Sequence, residues 1–395
     1  MRKRMPTPLL AVPPALPALS LSLALLAVSL TLFAALCVLR HAPMADLLVY
    51  RAEGAAVAHG TDLYGFTVTR WRLPATYPPF AAILFVPATW LPLPALKAAC
   101  LAGNALLLAT LVALSARLAG RPVRAPLLHT ATALSLWLEP VFQTVLFGQI
   151  NLAVACLVLG DLTRPPGARG KGIALGVAAG IKLTPAVFLA YLLLRGRHRE
   201  ALTASASCAG TVLLGAALLP AASTDFWTHR LYDTGRVGKA WIVDNQSLQG
   251  LFARALGTAA PGPVWVLSAA AVAAAGLWLA ARAREERHGV LLAAVTALLI
   301  SPISWSHHWV WCVPLLAVLL AEGRVRLAVL VAAAFTARTL WLVPHEGDRD
   351  LHLPWWQQPL AAPYPLLGLA LIAVAALRAA QAVPSARISS ASTIR

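Results

Sequence analysis

The first polar segment of the chain contains a carboxylate that could act as a base. It reads Asp46-Leu-Leu-Val-Tyr50-Arg51 and follows a long apolar run. A carboxylate beside such a run is unfavourable unless it is paired or functional. One interpretation of Asp46 is a general base that takes a proton from an attacking hydroxyl. The alternatives are a helix N-cap and a salt bridge to Arg51. Glu53 and Asp62 are rival carboxylates, and Asp62, after Gly-Thr, is typical of a turn.

A lysine interrupts a later apolar run, in the sequence Gly180-Ile-Lys182-Leu-Thr-Pro185. An intramembrane lysine beside a proline is a candidate functional residue, and its compact cation suits a phosphate group. The alternative is a lysine whose ammonium reaches the membrane interface while its stem stays in lipid. The position of the predicted helix break favours the phosphate interpretation.

Two adjacent histidines occur in Ser301-Pro302-Ile-Ser304-Trp305-Ser-His307-His308. Adjacent side chains on a helix point about 100° apart, and no HxxxH pattern or carboxylate partner follows, so no metal site is expected. Hydrogen bonding to the phosphate of a lipid head group fits His307 and His308 better. Trp305 could stack against a sugar ring or belong to an interfacial aromatic belt.

Amide side chains occur in pairs at two places. Gln149 and Asn151 stand just inside an apolar run, where they could bind sugar hydroxyls or hold helices together. Asn245 and Gln246 precede Ser247 and a renewed apolar stretch, and this pattern fits a helix cap as well as a sugar-binding rim. The match of Asn245-Gln246-Ser247 to a glycosylation site is taken as chance.

The composition requires a lipid environment for the elements that carry these residues. Of 395 residues, 59% are hydrophobic and 12% are charged, and the mean hydropathy is +0.73. No soluble domain of this length could bury so much apolar surface. The net charge of +17 falls in short clusters between apolar runs, which is typical of cytoplasmic loops and argues against nucleic-acid binding. The five cysteines lie in apolar runs without a CxxC pair, and we expect no cofactor.

The hydropathy pattern predicts an all-α, polytopic transmembrane bundle with about 11–13 membrane segments. This number counts short re-entrant or broken helices. The run 172–194 is predicted to be two short helices, because basic residues at both of its ends place both ends in the cytoplasm. Region 79–117 contains four prolines and is predicted to cross once or twice. The predicted apolar runs are 18–39, 79–117, 125–139, 149–162, 172–194, 199–219, 263–281, 289–304, 307–321, 327–343 and 362–380.

Basic residues predict the orientation of these segments. The predicted cytoplasmic loops are 2–4, 117–124, 164–171, 195–199, 282–288 and 324–326, together with a tail at 381–395 that follows Arg378. The predicted outer segments are 40–76, 140–148, 220–262, 304–307 and 344–361. The chain 1–395 is thus predicted to be one integral membrane domain, with an uncleaved first helix at 18–39 and a first extracytoplasmic loop at 40–78. Helices follow at 79–219 and 263–380, on either side of an outer loop at 220–262. The polar and aromatic residues of the outer segments favour a reaction on the outer face.

In this order, the motifs resemble those of the polyprenol-phosphate-mannose-dependent α-(1→2)-mannosyltransferases of glycosyltransferase family 87, which have the GT-C fold. The resemblance covers roughly residues 40–320. Its motifs are Asp46-x-x-x-Tyr50, Gly60-x-x-Leu63-Tyr64, Thr76-Tyr77-Pro78-Pro79, Gly148-Gln149-Ile150-Asn151, Gly180-Ile181-Lys182-Leu183-Thr184-Pro185, Asn245-Gln246-Ser247 and Ser301-Pro302-x-Ser304-Trp305-x-His307-His308.

The resemblance implies an inverting transfer of mannose from a polyprenyl phosphate to a hydroxyl of an envelope glycolipid or lipoglycan. It implies that Asp46 is the catalytic base and that Lys182 with His307 or His308 binds the donor phosphate. No acid partner is required, because phosphate leaves without protonation. The residues expected to contact sugar or acceptor are Tyr50, Tyr64, Tyr77, Gln149, Asn151, Asn245, Gln246 and Trp305.

Other functions remain open from the sequence. Broken helices and an intramembrane lysine also suit a transporter or flippase of lipid-linked sugars. The absence of an internal repeat, and the clustering of polar residues on one face, argue against that alternative. A polymerase or ligase of surface glycans, or a transferase of another lipid-linked sugar, shares the same features. The acceptor is not determined by these motifs.

Overall fold

The structure is a computed structural model that describes residues 16–381. The basic cluster at 2–4 and the tail from residue 382, with Arg387 and Arg395, lie outside the described residues. Almost every regular element is a helix, which confirms the all-α prediction. The α-helices, in chain order, are α1 (Leu16–Leu39), α2 (Ala45–His59), α3 (Pro79–Phe85), α4 (Leu93–Leu118), α5 (Ala125–Ser135), α6 (Glu139–Phe147), α7 (Asn151–Leu162), α8 (Ile173–Ile181), α9 (Val187–Leu194), α10 (His198–Leu218), α11 (Pro220–Asp225), α12 (Leu248–Ala255), α13 (Gly262–Arg282), α14 (Glu286–Ile300), α15 (Cys312–Ala321), α16 (Val325–Thr336), α17 (Gln358–Ala361) and α18 (Pro363–Gln381).

Shorter elements join these helices. One π-helical turn covers Phe226–Arg230. Two short strands, β1 (Thr67–Val68) and β2 (Leu73–Pro74), pair antiparallel as a hairpin. The 3₁₀ segments are Val86–Thr89, Thr184–Ala186, Thr234–Val237, Ser306–Trp311, Thr339–Trp341 and Arg349–His352.

Five helices are each long and apolar enough to cross a bilayer: α1, α4, α10, α13 and α18. In their most apolar stretches only 17–28% of the residues are buried within the protein, so their other side chains are available to lipid. The helices α6 and α7 form a sixth candidate span, bent by 119°. These helices confirm a polytopic membrane bundle. The total of 11–13 segments stays a prediction, because the remaining apolar helices are shorter.

Two segments differ from the sequence-based expectations. The first outer segment is not an open loop, since residues 45–59 form the helix α2, which packs on α3. Likewise the predicted outer loop at 140–148 falls in helix α6. Region 79–117, whose crossing number the sequence left open, holds the short helix α3 and one helix of crossing length, α4.

Glycines bring helices α8 and α10 into close contact. Gly176 and Gly180 are four residues apart and therefore share one face of α8. A Cβ atom at Gly176 would clash with the carbonyl oxygen of Ala204 and with Ser207, and one at Gly180 would clash with Thr211. Small residues at this spacing let membrane helices pack closely. The contact fixes the end of α8, where Lys182 stands.

The break predicted at Lys182 is present. Helix α8 ends at Ile181, and Lys182 has an extended backbone (φ −146°, ψ 128°) before a 3₁₀ turn that contains Pro185. Helix α9 then begins at Val187. Interrupted membrane helices of this kind are tolerated where they line a cavity.

The basic loops that were predicted to be cytoplasmic contact one another. Arg121 donates to the carbonyl of Ala321, and Arg287 to that of Ala119. Ion pairs join Lys171 to Glu200 and Arg197 to Glu286. These loops therefore form one end of the bundle.

The predicted outer segments join in a second group. Arg236 donates to the carbonyls of Ala75 and Thr76, and Lys239 pairs with Asp348. The backbone N–H of Gln246 donates to Ser304. Because α10 and α13 each run from a basic loop to the 220–262 segment, the two groups lie at opposite ends of the bundle.

Candidate active site

Asp46 lies in the first turn of α2 and is half-buried. The N-cap position of this helix is Met44, in a left-handed conformation and without a side-chain cap. Within the described part of the chain, no ion pair joins Asp46 to Arg51. The two structural alternatives for Asp46 are therefore not found, and its carboxylate is available to a ligand.

Two tyrosines fix the amide that lies beside Asp46. The Tyr50 hydroxyl donates to Gln149 Oε1 at 2.7 Å, and the Tyr77 hydroxyl donates to the same oxygen at 3.1 Å. Their own oxygens are 2.9 Å apart. Because two donors occupy Gln149 Oε1, the amide nitrogen of Gln149 faces the carboxylate of Asp46. The hydrogen bond from this nitrogen lowers the pKa of Asp46.

The pocket moves the pKa of Asp46 towards neutrality. Burial is the largest cause and raises this pKa from 3.8 to about 7. The Gln149 amide and the charge of Lys182 oppose that rise, whereas the charge of Asp244 adds to it. A carboxylate with a pKa near the working pH is suited to general base catalysis.

Lys182 lies at the helix break, and its charge acts on Asp46. Its Nζ donates to Asn151 Oδ1 at 2.8 Å and lies 3.0 Å from His308 Nε2. The ammonium also lies 5.6 Å from the centre of the Tyr77 ring. No carboxylate forms an ion pair with Lys182 among the residues that the structure describes. A half-buried cation held by neutral partners is a suitable binding group for an anion.

The two histidines occupy different positions. His308 is half-buried and faces Lys182, whereas His307 is buried and packs edge-to-face against Phe147. The carbonyl of His307 accepts hydrogen bonds from Thr144 at 3.0 Å and from Asn151 at 2.9 Å. Of the two histidines, His308 is thus the one that shares a surface with Lys182.

An apolar groove begins at this polar cluster, and the space along it, with its part open to solvent included, is about 470 Å³. Asn151, Lys182 and His308 line its polar part. Its apolar walls include Val158 of α7 and Phe188 of α9, and Leu298 of α14. A cation at one end and apolar walls beyond it match the chemistry of an amphipathic ligand that has an anionic head and a hydrocarbon chain.

The sequence profile of glycosyltransferase family 87 matches residues 75–302, more than half of the chain. The chain belongs to glycosyltransferase family 87. The matched range contains Gln149 and Lys182 but neither Asp46 nor His308. No solved structure shows significant similarity to this family 87 protein, so the GT-C type of its fold stays a prediction.

Curated relatives of this family 87 protein extend the similarity over most of the chain. It is 37% identical to the polyprenol-phosphate-mannose-dependent α-(1-2)-phosphatidylinositol mannoside mannosyltransferase of Mycobacterium tuberculosis, over 84% of each chain. The protein of the same name from Mycolicibacterium smegmatis is 35% identical, over 84% of this chain and 83% of its own. A phosphatidylinositol pentamannoside mannosyltransferase of M. tuberculosis is 37% identical, over 71% of this chain and 67% of its own.

Several residues expected to bind sugar have structural partners in this family 87 protein. Asn245 and Gln246 are fully buried, and their amides bond to backbone groups of the outer segments. Ser247 caps α12 by accepting from the N–H of Gly250, as the cap interpretation predicted. Direct sugar contacts by Asn245 and Gln246 stay a prediction, and the geometry gives them a role in holding the loop.

Tyr64 and Trp305 also have structural partners, and sugar contacts by these two residues stay a prediction. The hydroxyl of Tyr64 donates to the carbonyl of Tyr77, and its ring stacks on Phe226. Trp305 is half-buried, lies against Gly238 and pairs through its backbone with Asn245. Asp62 forms the predicted turn, since its Oδ1 accepts from the N–H of Tyr64.

Two carboxylates near the site were not singled out from the sequence as site residues. Asp244 is close enough to Asp46 to raise its pKa. Glu139 is fully buried and accepts from Trp341 Nε1 at 3.0 Å and from the Tyr364 hydroxyl at 2.7 Å. The only sequence signal for Asp244 was its place in a run of polar residues that also fits a helix cap.

Proposed function

We propose that this protein transfers mannose from polyprenyl phosphate mannose to a hydroxyl of a phosphatidylinositol mannoside glycolipid, forming an α-(1→2) linkage. The proposal is carried by one observation: Lys182 lines the polar end of an apolar groove and is close enough to Asp46 for its charge to act on that carboxylate. The names of the curated relatives support this donor and this class of acceptor.

The donor binds with its phosphate against Lys182 and His308. Both groups face the pocket, and Asn151 holds the lysine ammonium by accepting from it at 2.8 Å. The prenyl chain lies along the groove between α7, α9 and α14, whose apolar walls can hold it by van der Waals contact. A transferase with a nucleotide-sugar donor would have no use for this groove.

The reaction needs one base and one anionic leaving group. The acceptor oxygen attacks the anomeric carbon of the mannose from the face opposite the phosphate, and its proton passes to Asp46. The bond between the anomeric carbon and the phosphate oxygen breaks, and its electron pair leaves with the phosphate. Lys182 offsets the charge that develops there. A β-linked donor therefore gives an α-linked product.

Polar groups around Asp46 support this role. Gln149 is oriented by Tyr50 and Tyr77 and steadies the ionised form of Asp46. The amide nitrogens of Gln149 and Asn151 each carry a second N–H, which we assign to sugar hydroxyls. The two tyrosines thus act on the base and on substrate through the glutamine.

The active site faces the extracytoplasmic side in this proposal. The basic loops form the opposite end of the bundle, and basic loops of membrane proteins are retained in the cytoplasm. The acceptor then meets the site from the outer leaflet. Cysteine accessibility tests this orientation, because a cysteine at Thr61 in a cysteine-free background should react with an impermeant maleimide in intact cells and one at Arg169 should not.

The function is tested with purified protein in proteoliposomes, synthetic polyprenyl phosphate mannose and a phosphatidylinositol mannoside acceptor. We expect a mannosylated product from the wild-type protein and about a thousandfold lower rate from Asp46→Asn. The matched control is Asp62→Asn, which changes an exposed turn carboxylate of the same outer segment. Equal rates for Asp46→Asn and the wild-type protein would exclude Asp46 as the base.

The same proteoliposomes separate transfer from transport. A transporter would move the labelled donor between leaflets and form no covalent product. Donor flux without a mannosylated lipid would overturn the proposed function. Mass spectrometry of the product, with linkage analysis, reports the sugar and the α-(1→2) bond.

A further inference from the structure

Asp244 is a second half-buried carboxylate, close enough to Asp46 for their charges to interact, and the function proposed above does not use it. Its backbone carbonyl and its Oδ1 both accept the N–H of Ser306, at 2.8 and 3.1 Å. The next residue, Asn245, forms a bridge with Trp305. Asp244 is thereby fixed to the segment that leads directly into His308.

Hydrogen bonds from neighbouring side chains hold the loop that contains Asp244. Arg254 is buried and donates to the backbone carbonyls of Trp241, Ile242 and Asn245. Gln246 bonds across to Ala361. These bonds order the backbone on either side of Asp244 but do not reach its Oδ2.

In residues 16–381 the Asp244 carboxylate is only partly compensated, because the charge of buried Arg254 acts on it from beyond ion-pair distance. No ion pair reaches it within 4.0 Å, and none of the hydrogen bonds to its side chain uses Oδ2. Glu139 differs, because Trp341 and Tyr364 satisfy both of its oxygens. A half-buried carboxylate without an ion pair and with one oxygen free of hydrogen bonds is unfavourable for the free protein, and a ligand with hydroxyl donors would relieve that penalty.

We propose that Asp244 binds hydroxyl groups of the donor mannose and so helps to select the sugar. This inference rests on the proposed function, because it assumes a phosphate at Lys182 and His308. A sugar attached to that phosphate is adjacent to the 304–306 segment, and Asp244 is fixed to that segment. A carboxylate with one free oxygen can accept hydrogen bonds from neighbouring hydroxyls of a hexose. The leaving phosphate needs no proton, so Asp244 has no role as an acid.

The test compares two ligands that differ only in the sugar. Binding of polyprenyl phosphate mannose and of polyprenyl phosphate is measured for the wild-type protein and for Asp244→Asn. We expect Asp244→Asn to weaken binding of the mannosylated lipid about tenfold, as the loss of a charged hydrogen bond predicts, and to leave binding of polyprenyl phosphate unchanged. Lys182→Met, in contrast, should weaken both.

Two controls keep the comparison interpretable. Asp233→Asn removes an exposed carboxylate from the same outer segment and should bind both lipids as the wild-type protein does. Asp244→Asn retains an oxygen that can accept from Ser306, so the loop should stay folded, and an unchanged thermal midpoint verifies this.

Three results for Asp244→Asn would overturn the proposal. The variant could bind both lipids as the wild-type protein does, or bind both of them equally more weakly. It could also change only the KM for the acceptor. A different result would show that the proposed function is wrong. In that case the wild-type protein itself would form no mannosylated product, whatever the binding data for Asp244→Asn.

Discussion

The ammonium of Lys182 lies close enough to the carboxylate of Asp46 for its charge to lower the pKa of the acid. The two residues come from distant parts of the chain, one from the first turn of α2 and the other from the break after α8. They form no direct ion pair within 4.0 Å in the described residues. A base and a phosphate-binding cation can therefore serve one substrate without neutralising each other.

Activity should depend on pH through Asp46. Burial raises the pKa of Asp46 to about 7, and only the ionised carboxylate can accept a proton. We expect kcat/KM to fall about tenfold for each pH unit below 7. Measurement of initial rates from pH 5 to pH 8.5 in proteoliposomes tests this. A profile that is flat across this range would contradict the assignment of the base.

Replacement of Lys182 by methionine should weaken donor binding. The variant loses one charged contact to phosphate, and we expect binding to fall about tenfold to a hundredfold. It should also move the acid limb of the pH profile to higher pH, because the charge that lowers the pKa of Asp46 is gone. The matched control is Lys239→Met, which removes an exposed lysine of the outer segments that pairs with Asp348. Wild-type affinity together with a wild-type pH profile would exclude the phosphate role.

Stability should depend on the glycine contact between α8 and α10. In Gly176→Ala the added methyl group would clash with the Ala204 carbonyl, so one helix must move. We expect a loss of about 1–3 kcal/mol, seen as a lower thermal midpoint in detergent. Gly210→Ala in α10 is the matched control, since a Cβ there meets nothing within 4 Å. A midpoint for Gly176→Ala equal to that of the control would show that the helices are not packed as described.

Glu53 should make the stability pH-dependent. Its side chain is buried, Oε1 accepts from the N–H of Thr76, and burial raises its pKa from 4.5 to about 8. The folded protein therefore keeps this proton up to about pH 8, whereas the unfolded chain releases it near 4.5. The stabilisation from this group is complete below pH 4.5 and is lost as the pH rises through 8.

Glu53→Gln mimics the protonated acid and should remove that dependence. Between pH 5 and pH 8.5 the thermal midpoint of the wild-type protein should fall relative to that of Glu53→Gln. The exposed Glu346→Gln is the control and should follow the wild-type curve. Parallel curves for Glu53→Gln and the wild-type protein would mean that Glu53 is ionised at neutral pH.

Local patterns in the sequence were sufficient for the membrane fold and for several site residues. The apolar runs predicted helices because each hydrophobic segment must satisfy its own backbone in lipid. The break at Lys182 followed from Pro185 and from the basic residues at both ends of the run. The helix α2 was missed, since its mixed polar and apolar sequence resembles a loop as much as a short helix and its burial depends on α3.

The sequence by itself determined which residues could do chemistry, because residue type sets whether a side chain can be a base, a cation or an amide. Only the tertiary structure decided how they are combined. In the folded protein Lys182 contacts His308 and not His307. Asn245 and Gln246 hold a loop. Asp244 lies close enough to Asp46 for their charges to interact. The physical reason is that these contacts join segments far apart in the chain, and their geometry depends on how all the helices pack together.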